Sequence, residues 1–383
     1  MSKVYLKDVV TRIKDKVDKD NTDLEYYIGG EHFDNGEIQI TKKGVIAGST
    51  IGPAFHMRFV PGDVLLMSRN PHLRKAGVVD FEGICSDVSY VCRTKNENVL
   101  MQKFLPFIFQ SDDFWKFAEE NKKGSTNFFL NWSDFEKYEF NLPPIETQRK
   151  LVEILWSFED TKTAYKKLLD KTDELVKSQF IEMFGELGRD DKGWGLTTLG
   201  QCCELNPKRP RDINDETMVS FVPMPAVSEY GKIDCSDIRP YKEVRKGFTY
   251  FAENDVLFAK ITPCMENGKG AVARELENGI GSGSTEFHVL RPIAGKSNPY
   301  WLYIITMFDT FRVGAKKVMT GTGGQLRVPI GYLNDYPISL PPIELQNSFE
   351  EFVHQSDKSK FELKQVIADI DNLSKALMQQ ELS

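Results

Sequence analysis

Two loops of the sequence carry the residue types that bind phosphate and read base edges. The first, KKGSTNFF, offers Lys122, Lys123, Ser125, Thr126 and Asn127. The second, within AKKVMTGTGGQLRV, offers Lys316, Lys317, Thr320, Thr322, Gln325 and Arg327. Cationic groups neutralise phosphate, and hydroxyls and backbone N–H groups donate to its oxygens. Arg, Asn and Gln pair with base edges. The glycines of the second loop let the backbone approach an anion. They serve equally a tight return into the next strand. Further basic residues lie in loops or at strand ends. TKKG holds Lys42 and Lys43, MSRNPHLRK holds Arg69, Asn70, Arg74 and Lys75, and NPKRPRD holds Lys208, Arg209 and Arg211. Arg245, Lys246 and Lys260 complete the set, the last directly after the strand-like DVLFA. Each of these, taken singly, also suits a solvated surface. Trp115, Phe128 and Phe129 are read as core residues.

Signals for catalysis are missing. The sequence has no FxGxG, no GxxxxGK[ST], no GxSxG and no HExxH. SNPY, at Ser297 to Tyr300, approaches an amino-methyltransferase tetrapeptide but lacks its proline pair. It reads instead as a helix start, with Asn298 as cap and Pro299 in the first helical position. Nothing marks a catalytic pair among the 56 carboxylates. Neither the six cysteines (Cys85, Cys92, Cys202, Cys203, Cys235, Cys264) nor the five histidines have zinc-ligand spacing. Free thiols are expected, with no metal and no cofactor. The net charge is −7, so a nucleic-acid-binding face must be local or supplied by a partner. No apolar run approaches the roughly 18 to 20 residues of a membrane span. The opening MSKVYLKDVVTRIKDK has no signal-peptide core, and a cytoplasmic location is expected.

What positions the loops is a duplication. LPPIETQ begins at Leu142 and LPPIELQ at Leu340, 198 residues later, with six of seven residues identical. At that offset Leu151, Ile154, Leu155, Tyr165, Leu168, Leu169, Thr172 and Leu175 correspond to Phe349, Phe352, Val353, Leu363, Val366, Ile367, Ile370 and Leu373. This spacing is one face of a helix. The second proline suits a first helical turn, and Glu146 and Glu344 suit the helix dipole there. Helices from about Pro144 to Phe184 and from about Pro342 to Gln380 are expected, each on the order of 55 Å long. Two such apolar stripes most simply cover each other as a coiled coil.

The regions ahead of the helices correspond more weakly. GDVLLM matches NDVLFAK, and GICSDVSYVCR matches GSGSTEFHVLR, each read as ending in an alternating strand. Amphipathic helices are expected in VLMQKFLPFIF and YWLYIITMFDTFR, then the polar loop, then a short strand into LPP. The class is α+β, and the chain alternates globular unit and rod. Two readers on two rods suit a ligand with two separated sites, such as duplex DNA with half-sites roughly 34 Å apart.

The repeated LPPxExQ helix start, following GST or GTGGQ, resembles the specificity subunit of type I restriction-modification systems. The resemblance implies target recognition domains at 1–141 and 186–339. It implies long spacer helices at 142–185 and 340–383, packed as an antiparallel coiled coil with pseudo-two-fold symmetry. It implies a non-catalytic protein that reads a bipartite double-stranded DNA site. It also implies two methyltransferase subunits docked on the helices, and a restriction-translocase subunit as a further partner. A non-DNA coiled-coil scaffold with two protein-binding domains is the alternative. A stand-alone modification enzyme is disfavoured by the missing cofactor motif.

Overall fold

The computed structural model describes residues 2–382; Met1 and Ser383, the outer limits of the expected segments, lie outside the described residues. Compactness divides the chain into residues 2–167 with 363–382, and residues 168–362. Each unit therefore holds one globular half, the opening turns of the long helix that follows it, and the closing turns of the other long helix.

In the first unit an antiparallel sheet runs in the order Val10–Ile13, Ser89–Thr94, Val64–Met67, Ala76–Val78. A second sheet runs Gly44–Val45, Tyr26–Ile28, Gly83–Ser86, Phe55–Phe59, with its middle pair parallel. The second unit repeats both orders. One sheet is Cys203–Leu205, Phe287–Pro292, Val256–Ala259, Gly270–Val272. The other is Ile238–Pro240, Met218–Val222, Ile280–Gly283, Thr249–Ala252, again with a parallel middle pair.

Three expectations about the globular halves need correction. GICSDVSYVCR and GSGSTEFHVLR end in strands as expected, Ser89–Thr94 and Phe287–Pro292, but neither alternates, and each string also carries an earlier strand. Each breaks at a turn, and its two strands enter different sheets. Both faces of these strands are covered, so burial is nearly continuous rather than alternating. VLMQKFLPFIF forms a 3-10 turn over Gln102–Phe104 and an α-helix only over Leu105–Gln110, and Leu105 to Phe109 are all buried rather than on one face. YWLYIITMFDTFR is two helices, Pro299–Met307 and Asp309–Lys317, parted where Phe308 adopts an extended backbone. The first of these starts as expected: Asn298 accepts from the N–H groups of Tyr300 and Trp301, and Pro299 opens the helix.

The long helices are Ile145–Phe184 and Ile343–Leu382, 40 residues each. Pro144 and Pro342 stand just ahead of them as caps, their carbonyls accepting from Gln148 N–H (3.0 Å) and Gln346 N–H (3.2 Å). The first helix ends at Gly185, whose φ of +83° closes the last turn with an N–H bond to Ile181 O.

Within each unit the two helix portions run antiparallel. In the second unit Asp173 meets Lys360, while Phe180 and Phe184, further along, meet Phe349, which lies further back. In the first, Lys162 meets Asp371, and Leu151, Val152 and Leu155 share a core with Met378 and Leu382. The expected apolar stripe is only partly the seam. Leu151, Leu155, Phe349, Val353 and Ile370 are buried, but Ile154, Leu168, Leu175, Val366 and Leu373 are 40–58% exposed. Charged side chains take their place. Glu159 and Lys162 are buried, and the residues 198 further on, Asp357 and Lys360, form the equivalent pair.

Candidate nucleic-acid interface

Polar residues that recur in both repeats build the frame. Asp63, 2% exposed, is held side-on by Arg93 from the neighbouring strand and accepts from Val60 N–H. Asp255, 1% exposed, is held in the same way by Arg291 and accepts from Ala252 N–H. Gln148 and Gln346, the last residues of the two repeated motifs, are fully buried. Each bonds three backbone groups, pinning its helix start to the globular half. These residues sat inside the recurring strings. Asking which polar residue recurs in both copies would have found them.

On this frame the first unit gathers one group of basic residues at one strand end. Strand Val64–Met67 runs into Ser68, Arg69 and Asn70. Arg69 bridges to Phe129, and Asn70 N–H bonds Phe128 O at 2.8 Å. Lys123 pairs back to Phe129 in both directions, at 2.9 and 3.0 Å. The tip between them, Ser125, Thr126 and Asn127, is exposed. Lys122 lies 4.3 Å from the Phe128 ring centre and 2.6 Å from Glu119. Lys123 lies 2.7 Å from Asp134. Burial works against that carboxylate, but Lys123, the Asn131 N–H and Lys137 outweigh it and hold its pKa below the usual range. Arg74 meets Asp112 at 2.5 Å, and Lys75 donates to Gly30 O at 2.6 Å. Of the aromatics read as core, only Trp115 is fully buried; Phe128 and Phe129 are half-exposed under cations.

The second unit repeats the arrangement at the end of Val256–Ala259. Lys260 is followed by Ile261, which bridges to Arg327. Val328 N–H bonds Lys260 O at 2.9 Å, and Thr262 N–H bonds Leu326 O at 3.0 Å. Thr320–Thr322 and Gln325–Arg327 form an exposed hairpin. Its two-residue turn needs positive φ at both positions, supplied by Gly323 (63°) and Gly324 (77°). Arg327 grips Glu286, Lys316 meets Glu266 at 2.5 Å, and Lys317 is exposed. Lys260 is half-buried. Burial lowers its pKa and Arg327 adds to this, against the pull of Glu286.

Beneath the hairpin, His288 is 5% exposed. Its Nε2 lies 2.8 Å from Val328 O and its Nδ1 3.3 Å from the Asn206 amide nitrogen, which fits a neutral ring. In the first unit Tyr90 OH makes the equivalent bond to Leu130 O. Burial first, and Lys260 with it, hold the His288 pKa below 6.5, against the Val328 carbonyl and Glu286. Below 6.5 the unfolded chain then binds more protons than the folded one, so stability falls as pH drops. The melting temperature of the second unit should fall between about pH 7.5 and about pH 5.5. His288→Gln should flatten that dependence. An equally steep slope in the variant would remove His288 as its cause.

The remaining candidates are not gathered here. Lys42 pairs with Asp34 at 2.6 Å, and Lys43 lies over Tyr26 and Phe81, beside the other sheet of the first unit. In the second unit Arg209 donates to Phe248 O, Arg245 meets Asp215 at 2.7 Å, and Lys208, Arg211 and Lys246 are exposed. Burial pushes the thiols of Cys85 and Cys203 up to about 12, so these sulfurs are inert packing. Among the described residues no group of His, Cys, Asp or Glu could hold a metal ion, and no helix is long and apolar enough to cross a membrane.

The family described as type I restriction modification DNA specificity domain matches residues 2–174 and again residues 191–370. The chain belongs to this family. Over 194 residues it is 39% identical to the specificity subunit of the Escherichia coli type I restriction enzyme EcoAI, covering 47% of this chain and 32% of that protein. With the EcoEI specificity subunit, also of Escherichia coli, it shares 37% identity over 187 residues, covering 46% and 31%. The chain thus spans about a third of the length of these curated relatives. A solved chain from work on complex assembly and conformational transition of the type I R-M system superposes with a TM-score of 0.58 at 18% identity, over 99% of this chain and 97% of that one. That likeness concerns the fold alone. Both specificity-domain matches take in one four-stranded sheet pair and one strand-end loop group.

Proposed function

We propose that this chain is the DNA-reading subunit of a type I restriction-modification complex. It recognises a bipartite duplex site and directs partner subunits to methylate or cleave, without chemistry of its own. Residues 1–141 and 186–339 are the two target recognition domains, and 142–185 and 340–383 the helical spacers. The observation that carries the reading is the recurrence, on one frame, of a strand end and loop whose exposed side chains differ between the two copies. A shared frame with different contact residues suits two half-sites of different sequence. The contacts fall on Arg69 and 122–127 in the first domain, and on Lys260, Lys316, Lys317 and 320–327 in the second. The cations beside the other sheet contribute less, since they are not gathered with either strand-end loop. The exposed apolar side chains Ile154, Leu168, Leu175, Val366 and Leu373 offer the helices a surface for two methyltransferase subunits. A restriction-translocase joins where the host encodes one, and the complex works in the cytoplasm.

The net charge of −7 favours a second reading, a protein-binding scaffold. Mapping methylated bases in the host genome, with and without the gene, separates the two. Loss of one split motif on deletion supports DNA reading. An unchanged map with the methyltransferase expressed supports the scaffold. Binding of the complex to its site should weaken steeply with salt. Lys317→Ala should reduce the slope of log affinity against log salt by about one counterion. A slope that does not change would remove Lys317 from the interface.

A further inference from the structure

We infer that Arg327 reads a guanine in the major groove and that Glu286 is the residue positioning it; the inference rests on the proposed DNA-reading function. Both Glu286 oxygens face the Arg327 Nε–Nη2 side, with Nε at 3.2 and 2.9 Å and Nη2 at 2.8 Å. Nη1 donates to Gln325 O at 3.2 Å. A guanidinium has five N–H donors in one plane. Side-on capture leaves Glu286 clear of the Nη1–Nη2 edge; one N–H remains on Nη2, and one on Nη1 beyond that given to Gln325 O. Nη1 and Nη2 together can bond guanine O6 and N7. The Arg327 side chain is 40% exposed and Glu286 23%, so the arginine is the more open member of the pair. Because the fork is already fixed, less rotamer freedom is lost when a base binds.

The internal repeat shows that the frame does not need this pair. Asp63–Arg93 and Asp255–Arg291 recur in both units and belong to the scaffold. At the offset of 198, Arg327 corresponds to Phe129 and Glu286 to Val88. Arg69–Phe129 and Ile261–Arg327 are the same backbone bridge, so the positions are equivalent while the side chains are not. Arg245 differs, since both Asp215 oxygens take its Nη1 rather than its Nε–Nη2 side. Arg239 is held side-on by Asp237, but on the other sheet, away from the hairpin and Lys260.

The test uses the full chain produced with its methyltransferase, and reads the methylated motif across a genome. Arg327→Lys and Arg327→Gln should relax one guanine position by about 10- to 100-fold in discrimination. Glu286→Gln should relax the same position by less, and Glu286→Asp should restore part of it. Arg239→Gln should leave the motif unchanged. Arg327→Lys, which keeps the charge, carries the test if Arg327→Gln does not fold. The inference is overturned if methylation drops equally at all sites with the motif intact. It is also overturned if the relaxed position is not guanine, or if only Arg239→Gln relaxes it. A wild-type chain that directs no motif would defeat the DNA-reading function itself, a result distinct from a motif indifferent to Arg327.

Discussion

Replacing Gln148 or Gln346 by Ala is expected to cost about 3–5 kcal/mol in the unit that holds it. Gln148 accepts from Met101 N–H at 3.0 Å and donates to Val99 O and Pro143 O, each at 2.8 Å. Gln346 accepts from Asn298 N–H at 2.9 Å and donates to Lys296 O at 3.0 Å and Pro341 O at 2.8 Å. Both side chains are fully buried, so truncation admits no compensating bulk solvent and leaves three backbone groups unpaired. Glu should not rescue either site, because a carboxylate accepts but cannot donate. Amide hydrogen exchange on the full chain localises the loss. Gln148→Ala should raise exchange in the first unit and Gln346→Ala in the second. A change under about 1 kcal/mol in either would show that the bonds contribute little net stability.

The second large effect is expected from Lys162→Ala, about 3–5 kcal/mol. Lys162 Nζ lies 2.9 Å from Glu159, 3.1 Å from Asp371 and 3.8 Å from Glu37. Burial alone would lower the pKa of this lysine, but Glu159, Glu37 and Asp371 outweigh it and raise it. Burial raises the Glu159 carboxyl despite Lys162. Without the ammonium, a buried Glu159 faces two further carboxylates. The deficit should therefore shrink as pH falls and Glu159 takes a proton. Adding Glu159→Gln to the variant should recover much of the loss. The equivalent Lys360 meets Asp173 and Asp357, whose side chains are about half exposed, at 51% and 50%. Its loss should cost about 1 kcal/mol or less. Equal losses at the two lysines in chemical denaturation would contradict this account.

The two strand-end groups show how far sequence reasoning reaches. The loops 122–127 and 320–327 were recognisable from their cations, hydroxyls and glycines, which are composition signals within a few residues. That they fold back onto Arg69 and Lys260 respectively was not, because those pairings join residues about 60 apart in sequence. Glu286 carries no local signal at all. It is one carboxylate among 56 until a strand places it against Arg327.

Sequence alone determined the duplication, the α+β class, both forty-residue helices and the Asn298 cap. Periodicity, proline and cap chemistry act over one or two helical turns, so they are written locally. Tertiary structure decided the rest. It divided GICSDVSYVCR and GSGSTEFHVLR between two sheets each, and put charged rather than apolar residues in part of the helix seam. It also enclosed Gln148 and Gln346 in backbone cages. Burial depends on what the opposite surface supplies. A heptad stripe states only that a helix has an apolar face, whereas the antiparallel partner decides which residues of that face are covered.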